Sequence, residues 1–424
     1  MKFFHSFYKI IFIFFCILFL SNHIFADDIY PLEDNFDISE ILNDIETIET
    51  DSQISQLPTI NSRAYVVIDR KSNTVLIGKN ENQRKKMAST TKIMTALIVI
   101  ENANLSDTVE ISKKAANTGG SRLGLKTGDK ITVLDLLYGL MMRSGNDAAV
   151  ALAEYVAGSI SNFADIMNNK AKELNLSNTH FVTPHGLDED EHYTTAYELA
   201  LLSNYAMNNE VFAKIVGTKN YTITLNGYPK TLINTNELLG VLNGVYGIKT
   251  GFTNGANRCL VTCCKRGEMD IICVVLGADT KKFRTTDSIK LIEYSFNSFT
   301  YVDVKELIHN YFEIWKEENE NNFVILKGKS HYLDLNYEAL PYDKIPIRSD
   351  LVHKLKVSIQ YTSILDSPIY KGTSIGTLIL ELEDTTIYSG NIYVTSDIEK
   401  KNILDYLQYF YINFSEIFNS ICYI

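Results

Sequence analysis

The sequence predicts an α+β fold in which helices flank one antiparallel sheet, followed by a small all-β domain and a C-terminal amphipathic helix. A strand–turn–strand pattern at 64–77 and a three-strand meander at 245–277 enclose a long, mostly helical stretch. Strands at both ends of a helical stretch are typical of a sheet that helices cover as a second layer. Strand-and-turn patterns throughout 323–395 indicate the β-domain.

Composition excludes some classes of protein before any motif is considered. The chain has 424 residues, of which 46% are hydrophobic, and this is typical of two or three globular domains. Its formal net charge of −11 and the lack of a long basic run argue against a nucleic-acid partner.

The first 26 residues have the pattern of a secretory signal peptide. Lys2 and Lys9 accompany an apolar run at 10–20, and Ala26 precedes the predicted cleavage point. Cleavage is favoured over an uncleaved anchor helix because the run is short for a membrane span. Residues 27–62 contain ten acidic residues and no Lys or Arg, which predicts a flexible acidic leader.

Five cysteines follow the predicted signal peptide. Their odd number and irregular spacing argue against a disulfide framework. Four lie in two strand-like segments, where we interpret them as small buried apolar residues: Cys259, Cys263, Cys264 and Cys273. A zinc site is the alternative. It is disfavoured because no histidine lies nearby and adjacent strand residues face opposite sides.

The first domain is expected to span 63–315. Its hairpin is predicted by strands at 64–69 and 74–77 around a turn at 71–73. Its helices share apolar residues at helical spacing and are predicted at 89–101, 133–142, 148–157, 163–174, 194–208 and 290–294. The helix at 133–142 is almost entirely apolar, so it should be buried.

The β-domain is expected at 316–396, after the charged and polar stretch 316–322. Residues 354–361 alternate polar and apolar side chains at every step, which is typical of a half-buried strand. A second strand is predicted at 376–381, and together these patterns favour a small all-β domain.

The last segment, 397–424, is predicted to form an amphipathic helix with little charge. Its apolar residues step by four and three: Ile403, Leu407, Phe410, Phe414, Ile417 and Ile421. Such a helix packs on the β-domain, forms a dimer seam or lies on a membrane surface. The pattern leaves all three alternatives open.

Ser89 and Lys92 are the residues around which the first domain is organised. They stand where small and hydroxyl residues run into apolar residues at helical spacing, which indicates a helix N-terminus. Positions i and i+3 share a helix face, so both side chains point the same way. A serine hydroxyl needs a base to become a nucleophile, and a lysine amine of lowered pKa can serve as that base. The helix N-terminus also suits an oxyanion.

Two further short motifs follow in order, Ser144-Gly145-Asn146 between two helices and Lys249-Thr250-Gly251 in a strand. Each motif has a second copy elsewhere, at 6–9, 389–391 and 126–128. Those copies lie in the signal peptide, the β-domain and a loop. Only one set therefore combines a helix start, a helix–helix loop and a strand edge in this order.

With these three motifs, the chain resembles the low-molecular-mass penicillin-binding proteins, which are serine D-alanyl-D-alanine carboxypeptidases of the penicillin-recognising fold. The resemblance extends to longer blocks at 88–96, 142–149 and 247–253, and to 178–181 and 185–188. It covers 63–300 strongly and the remaining C-terminal parts weakly.

The resemblance implies roles for four residues of the helical side. Ser89 is the acylated nucleophile, and Lys92 is its general base. Ser144 relays a proton towards the leaving amine, and Asn146 binds the substrate amide or holds Lys92.

The resemblance also implies roles along the strand. Lys249 adds positive charge that helps to keep Lys92 neutral. Thr250 contacts the terminal carboxylate, Gly251 completes the substrate-binding motif, and the N–H groups of Ser89 and Phe252 form the oxyanion hole. Arg284 is a candidate for a second carboxylate contact, because a carboxylate favours an arginine fork. Arg284 as a surface residue is the alternative.

A β-lactamase of class A shares the three motifs but adds a glutamate for deacylation. Glu173-Leu174-Asn175 copies the end of that enzyme's loop motif, yet Ala171 stands where the catalytic glutamate belongs. A metal peptidase would draw on five ligand candidates, His180, His185, Asp188, Asp190 and His192. No two of these histidines have the i, i+4 spacing of a zinc-binding helix.

The expected function is that of an exported, membrane-associated serine carboxypeptidase that removes the terminal D-Ala from peptidoglycan stem pentapeptides. β-Lactams are the expected inhibitors, the C-terminal helix is the candidate membrane contact, and no metal or cofactor is expected. An inactive wall-binding protein on the same fold stays open as an alternative.

Overall fold

The computed structural model describes residues 57–422, together with residues 36, 38, 41 and 42. The signal-peptide prediction for 1–26 and most of the predicted leader lie outside the described residues. Two compact units divide the chain, Met1–Ser298 and Phe299–Ile424.

The first unit contains a five-stranded antiparallel sheet with the order β2-β1-β9-β8-β7. Its strands are β1 (Ala64–Asp69), β2 (Val75–Lys79), β7 (Val245–Thr253), β8 (Asn257–Arg266) and β9 (Met269–Ala278). Two small hairpins accompany it: β3 (Thr108–Glu110) with β4 (Lys130–Thr132), and β5 (Asn220–Leu225) with β6 (Tyr228–Ile233). The predicted hairpin and meander are confirmed, and β7 is an edge strand.

The helices of this unit are α1 (Lys92–Asn102), α2 (Lys113–Ala116), α3 (Val133–Met142), α4 (Asn146–Ala157), α5 (Ile160–Glu173), α6 (Ala196–Met207), α7 (Glu210–Gly217) and α8 (Lys281–Ser298). One core joins α1 and α3 to the sheet face that carries Val66, Val261 and Val274. Helix α8 packs against β8 and β9. The predicted buried helix at 133–142 is confirmed, since every residue of α3 except Leu134 is buried.

The second unit is built on a four-stranded sheet with the order β12-β17-β16-β14. The strands of the whole unit, which also include the separate pairs β10–β13 and β11–β15, are β10 (Phe299–Asp303), β11 (Val324–Leu326), β12 (Leu335–Tyr337), β13 (Lys344–Arg348), β14 (Leu355–Tyr361), β15 (Ile364–Asp366), β16 (Ser374–Leu382) and β17 (Thr385–Val394). The predicted strands at 354–361 and 376–381 are confirmed as β14 and β16.

Helix α9 (Val304–Asn319) belongs to the second unit, whereas the sequence pattern predicted the boundary inside this helix, between 315 and 316. Its apolar residues Val304, Ile308, Phe312 and Trp315 recur at helical spacing and are buried in the core of the β-domain. The helix buries this stripe among the strands that follow it, so the division falls before the helix.

The C-terminal helix α10 (Ile403–Cys422) is confirmed, and many of its large apolar side chains are exposed. Phe410 and Tyr411 are 68% and 74% exposed. Across the described part of the chain, every helix is too short or too polar to span a bilayer.

Candidate active site

Ser89 lies in a short 3-10 helix, Ala88–Thr91, that leads directly into α1. The turn is held by side chains of its own residues. Thr90 Oγ1 donates to Met87 O over 2.6 Å, and Thr91 Oγ1 donates to Ala88 O over 2.8 Å. The predicted helix start is confirmed, and it presents Ser89 from a rigid, buried turn.

Lys92 is fully buried at the first position of α1. Its Nζ lies 2.7 Å from Ser89 Oγ, so the i, i+3 pair meets as the spacing predicted. Nζ also donates to Asn146 Oδ1 over 2.7 Å and to His185 O over 2.8 Å. Three separate segments of the chain therefore hold one amine beside one hydroxyl.

Asn146 connects the second motif to this amine. Its Nδ2 donates to Gly119 O over 2.9 Å, which turns Oδ1 towards Lys92. Its backbone N–H donates to Ser121 O over 2.8 Å. Ser144, two residues earlier, is buried in a left-handed conformation with φ of 58°.

Asp147, the next residue, anchors the facing loop. Its buried carboxylate accepts hydrogen bonds from the backbone N–H groups of Leu123, Gly124 and Leu125 over 2.8 to 3.0 Å. The motif analysis did not predict a role for Asp147. The available signal was its position in the first turn of α4, directly after Ser-Gly-Asn. The loop at 119–125 is thereby fixed opposite Lys92.

The segment His185–Asp188 forms another wall of the site, and it reaches Lys92 through a backbone carbonyl. Gly186 has φ of +85°, and a Cβ there would lie 1.9 Å from Ala88 O. Thr95 Oγ1 donates to Pro184 O over 2.6 Å and ties the same segment to α1. Only glycine allows this approach to the turn that carries Ser89.

His192 supports the turn that carries Ser89. Its Nδ1 accepts the N–H of Val182 over 2.9 Å, so its Nε2–H faces Thr91 Oγ1 at 2.8 Å. Burial is the largest cause that lowers the pKa of both His192 and His185 to about 3. Both rings are therefore neutral structural supports at neutral pH.

Strand β7 carries the third motif and lies against the turn that carries Ser89. A Cβ on Gly251 would meet Ser89 N at 3.1 Å and Met87 O at 3.2 Å, so the strand approaches the turn closely. Lys249 and Thr250 are buried, and Lys249 Nζ donates to Thr250 O over 2.9 Å. The ring of Phe252 stacks over the Arg258 guanidinium at 4.0 Å.

The end of β7 is held by Asp188. Its carboxylate accepts from Thr253 Oγ1 over 2.8 Å and from Gly255 N–H over 2.7 Å. The segment that supplies a carbonyl to Lys92 thus also fixes the tip of the β7–β8 hairpin. The sequence offered this aspartate only as part of a family block and as a candidate metal ligand, not as a support for the β7–β8 turn.

Arg284 is not a surface residue, because only 2% of it is exposed. It lies in the first turn of α8, where Nη2 donates to the carboxylate of Glu237. The sequence pattern did not identify Glu237, since a glutamate distant in sequence has no recognisable spacing to Arg284. The candidate carboxylate contact therefore already has an internal carboxylate as its partner.

The competing chemistries find little support in this geometry. Ala171 is buried within α5, and Glu173 points outward to pair with Lys170. In the described part of the chain, no three His, Cys, Asp or Glu residues are grouped as for a metal ion. Cys259, Cys263, Cys264 and Cys273 are buried free thiols, as interpreted from their strands. The second Lys-Thr-Gly, at 126–128, is exposed and runs into a turn at 127–128.

Known proteins share both the fold and the sequence. The family model described as D-alanyl-D-alanine carboxypeptidase matches residues 51–280, and that of the penicillin-binding protein 5 C-terminal domain matches residues 343–400. The D-alanyl-D-alanine carboxypeptidase DacF of Bacillus subtilis is 33% identical over 353 residues, covering 82% of this chain and 88% of the relative. DacC of Escherichia coli is 34% identical, covering 82% and 87%.

Solved structures agree with these relatives. The carboxypeptidase DacD of Francisella tularensis superimposes with a TM-score of 0.68 at 27% identity, covering 84% of this chain and 98% of that one. Penicillin-binding protein 5 of Haemophilus influenzae gives 0.66 at 29% identity, covering 81% and 99%. The fold is therefore the penicillin-recognising serine peptidase fold with an added β-domain, as predicted.

The buried serine–lysine pair beside an edge strand, within this fold, defines a serine peptidase. The chain belongs to the D-alanyl-D-alanine carboxypeptidase family, which confirms the family predicted from its motifs.

Proposed function

We propose that this chain removes the terminal D-Ala from peptidoglycan stem peptides through an acyl-enzyme on Ser89. The observation that carries the proposal is the contact between Lys92 Nζ and Ser89 Oγ at 2.7 Å, in a buried site beside β7. The family relationship supports the reaction, and the contacts of each residue support its role.

The surroundings of Lys92 suit a neutral amine that acts as a base. Asn146 Oδ1 and His185 O can only accept hydrogen bonds, so they take the two N–H groups of a neutral amine. The amine lone pair then faces the Ser89 hydroxyl. When Ser89 Oγ attacks the peptide carbonyl, its proton passes to Lys92, and the ammonium is stabilised by the same two oxygens.

The remaining steps use the second and third motifs. The tetrahedral oxyanion accepts hydrogen bonds from the Ser89 and Phe252 N–H groups, supported by the close approach of Gly251 to Ser89 N. The proton on Lys92 passes through Ser144 to the departing amine of D-Ala. Water then attacks the ester carbonyl and releases the shortened peptide. Lys249 and Thr250 bind the substrate at the β7 edge.

The test combines turnover with covalent trapping. Residues 27–424 are incubated with an acylated peptide ending in D-Ala-D-Ala, and released D-Ala is measured. Intact mass after brief exposure to benzylpenicillin is expected to show one stable adduct, which peptide mapping places on Ser89.

Other outcomes would overturn the proposal in different directions. Rapid hydrolysis of benzylpenicillin without a lasting adduct would indicate a β-lactamase. Neither adduct nor D-Ala release would leave an inactive wall-binding protein. Transfer of the acyl group to an added amine is a further readout, because the similar DD-transpeptidase of Streptomyces K15 is 36% identical and covers 57% of this chain.

We further propose that the enzyme is exported and that α10 lies on a membrane surface. Large side chains exposed along this helix support the proposal: Ile403, Leu404, Leu407, Tyr409, Phe410, Tyr411 and Phe414. Helices with aromatic and aliphatic residues and little charge bury such side chains at the lipid interface. Peptidoglycan as substrate also requires a site outside the cytoplasm.

Leu407→Ser with Phe410→Ser is expected to weaken binding to phosphatidylglycerol-containing vesicles at least about tenfold, because two large apolar side chains no longer enter the lipid. Vesicle flotation measures this effect. Tyr332→Ser with Tyr370→Ser, at exposed positions of the β-domain, is the matched control. Wild-type chain that stays unbound, or that forms dimers dispersed by the helix substitutions, would contradict the proposal.

A further inference from the structure

A buried ion pair links α8 to the loop that follows β6. Arg284 donates from Nη2 to Glu237 Oε1, and Thr285 Oγ1 donates to the same oxygen over 2.6 Å. Both charged side chains are largely withdrawn from water, with 3% and 15% of their side chains exposed. Ion pairs in such surroundings are strongly coupled, so a change of charge in one partner is felt by the other.

The loop that carries Glu237 also contacts the third motif. Thr235 Oγ1 lies 2.9 Å from Thr250 Oγ1, and the Thr235 N–H donates to Met142 O over 3.1 Å. Glu237 follows Thr235 by two residues. Glu237 therefore lies two residues from a side chain that contacts Thr250, the residue for which the family resemblance implies a contact with the substrate carboxylate.

The pairing leaves hydrogen-bonding capacity on both partners. Among the residues that the structure describes, Glu237 Oε2 and Arg284 Nε have no hydrogen-bond partner. A bidentate arginine–carboxylate pair would use two N–H groups and both oxygens. Arg284 therefore keeps a buried N–H group that Glu237 does not use, and Glu237 keeps an oxygen that Arg284 does not use.

Glu237 keeps its negative charge in this position. Burial raises the pKa of its carboxyl, but the charge of Arg284 and the Thr285 hydroxyl outweigh burial, so the pKa is lowered overall. Glu237 thus balances the positive charge of Arg284. A substrate carboxylate that approaches the pair is attracted by Arg284 and repelled by Glu237.

We infer that Glu237 is a specificity-determining residue that sets the affinity of the site for a C-terminal carboxylate by sharing Arg284 with it. The inference rests on the proposed carboxypeptidase function. Glu237 orients the guanidinium through one nitrogen, and its charge opposes the substrate carboxylate. A free C-terminal acid is accordingly bound less tightly than Arg284 alone would bind it, which favours release of the free D-Ala and of the acidic product.

The test is Glu237→Gln, which keeps the shape and the acceptor oxygen but removes the charge. KM and kcat are measured for a peptide ending in D-Ala-D-Ala and for the same peptide with a C-terminal amide. KM for the free acid is expected to fall about tenfold, while KM for the amide stays within about twofold. Acylation rates with benzylpenicillin and with its methyl ester give the same comparison without turnover.

Two further variants keep the outcome interpretable. Glu293→Gln removes the charge of another ion pair on α8, the contact with Arg266, and should leave the preference for acid over amide unchanged. Adding Arg284→Gln to Glu237→Gln should abolish the gain, because the gain acts through the arginine.

An unchanged acid-to-amide preference in Glu237→Gln, or an equal loss for both substrates with a lower urea midpoint, would assign Glu237 a purely structural role and overturn the inference. Wild-type chain that neither releases D-Ala nor forms the benzylpenicillin adduct would instead overturn the proposed function. The two failures are therefore distinguishable.

Discussion

Lys92→Met is expected to slow acylation by benzylpenicillin at least about 10³-fold, because the thioether cannot accept the Ser89 proton. The side chain keeps a similar length and apolar stem within the buried site, so the loss reports on the amine. Acylation is followed by intact mass over time. The rate is compared with that of Ser89→Ala, which should form no adduct.

The same substitution should also lower stability. Asn146 Oδ1 and His185 O both lose the donor that Lys92 provides, and each unpaired buried oxygen costs about 1–3 kcal/mol. Urea unfolding therefore accompanies the kinetics, and rates are expressed per folded molecule. Lys126→Met, in the second Lys-Thr-Gly, is the matched control because that exposed lysine directly precedes a turn. Acylation by Lys92→Met within about tenfold of the wild type would rule out Lys92 as the base.

Gly186→Ala is expected to remove nearly all activity and to destabilise the first unit by at least about 2 kcal/mol. The new Cβ would lie 1.9 Å from Ala88 O and 2.5 Å from Thr91 Oγ1, so the backbone has to move. That movement separates the His185 carbonyl from Lys92 and shifts the turn that carries Ser89. A displacement of about 1 Å at such a site can cost about 10²-fold in rate.

Gly128→Ala separates the two causes of this effect. Gly128 has φ of +84°, almost equal to that of Gly186, but a Cβ there meets nothing within 4 Å. It should therefore show the conformational cost alone, with a modest fall in the urea midpoint and normal acylation per folded molecule. Equal acylation rates for the two folded variants would show that the Gly186 contact does not position the nucleophile.

The serine–lysine pair could be predicted because the contact between its two residues is local. Ser89 and Lys92 are three residues apart on one helix, and helical geometry brings any such pair together. The order of the three motifs along the chain distinguished them from their second copies at 6–9, 389–391 and 126–128. The contact between Lys92 Nζ and Ser89 Oγ confirms that the two side chains meet.

Other parts of the site could not be predicted in the same way. The His185 carbonyl that accepts from Lys92 is a backbone atom, and every residue carries one, so no residue type marks it. Glu237 and Arg284 are 47 residues apart, and no spacing rule connects a loop to a distant helix. The division between the two units also depends on packing. The charged end of α9 suggested a boundary there, but the buried apolar residues of this helix belong to the core of the β-domain.

The sequence by itself determined the fold class, the order of the elements, the family and the serine–lysine pair, because periodicity and short spacings act within a few turns of chain. Only the tertiary structure decided which groups complete the site. It brought His185, Asn146 and Gly251 to one point around Ser89, and it paired the candidate carboxylate contact Arg284 with Glu237. Such contacts depend on how distant segments pack, and packing has no local signature in the chain.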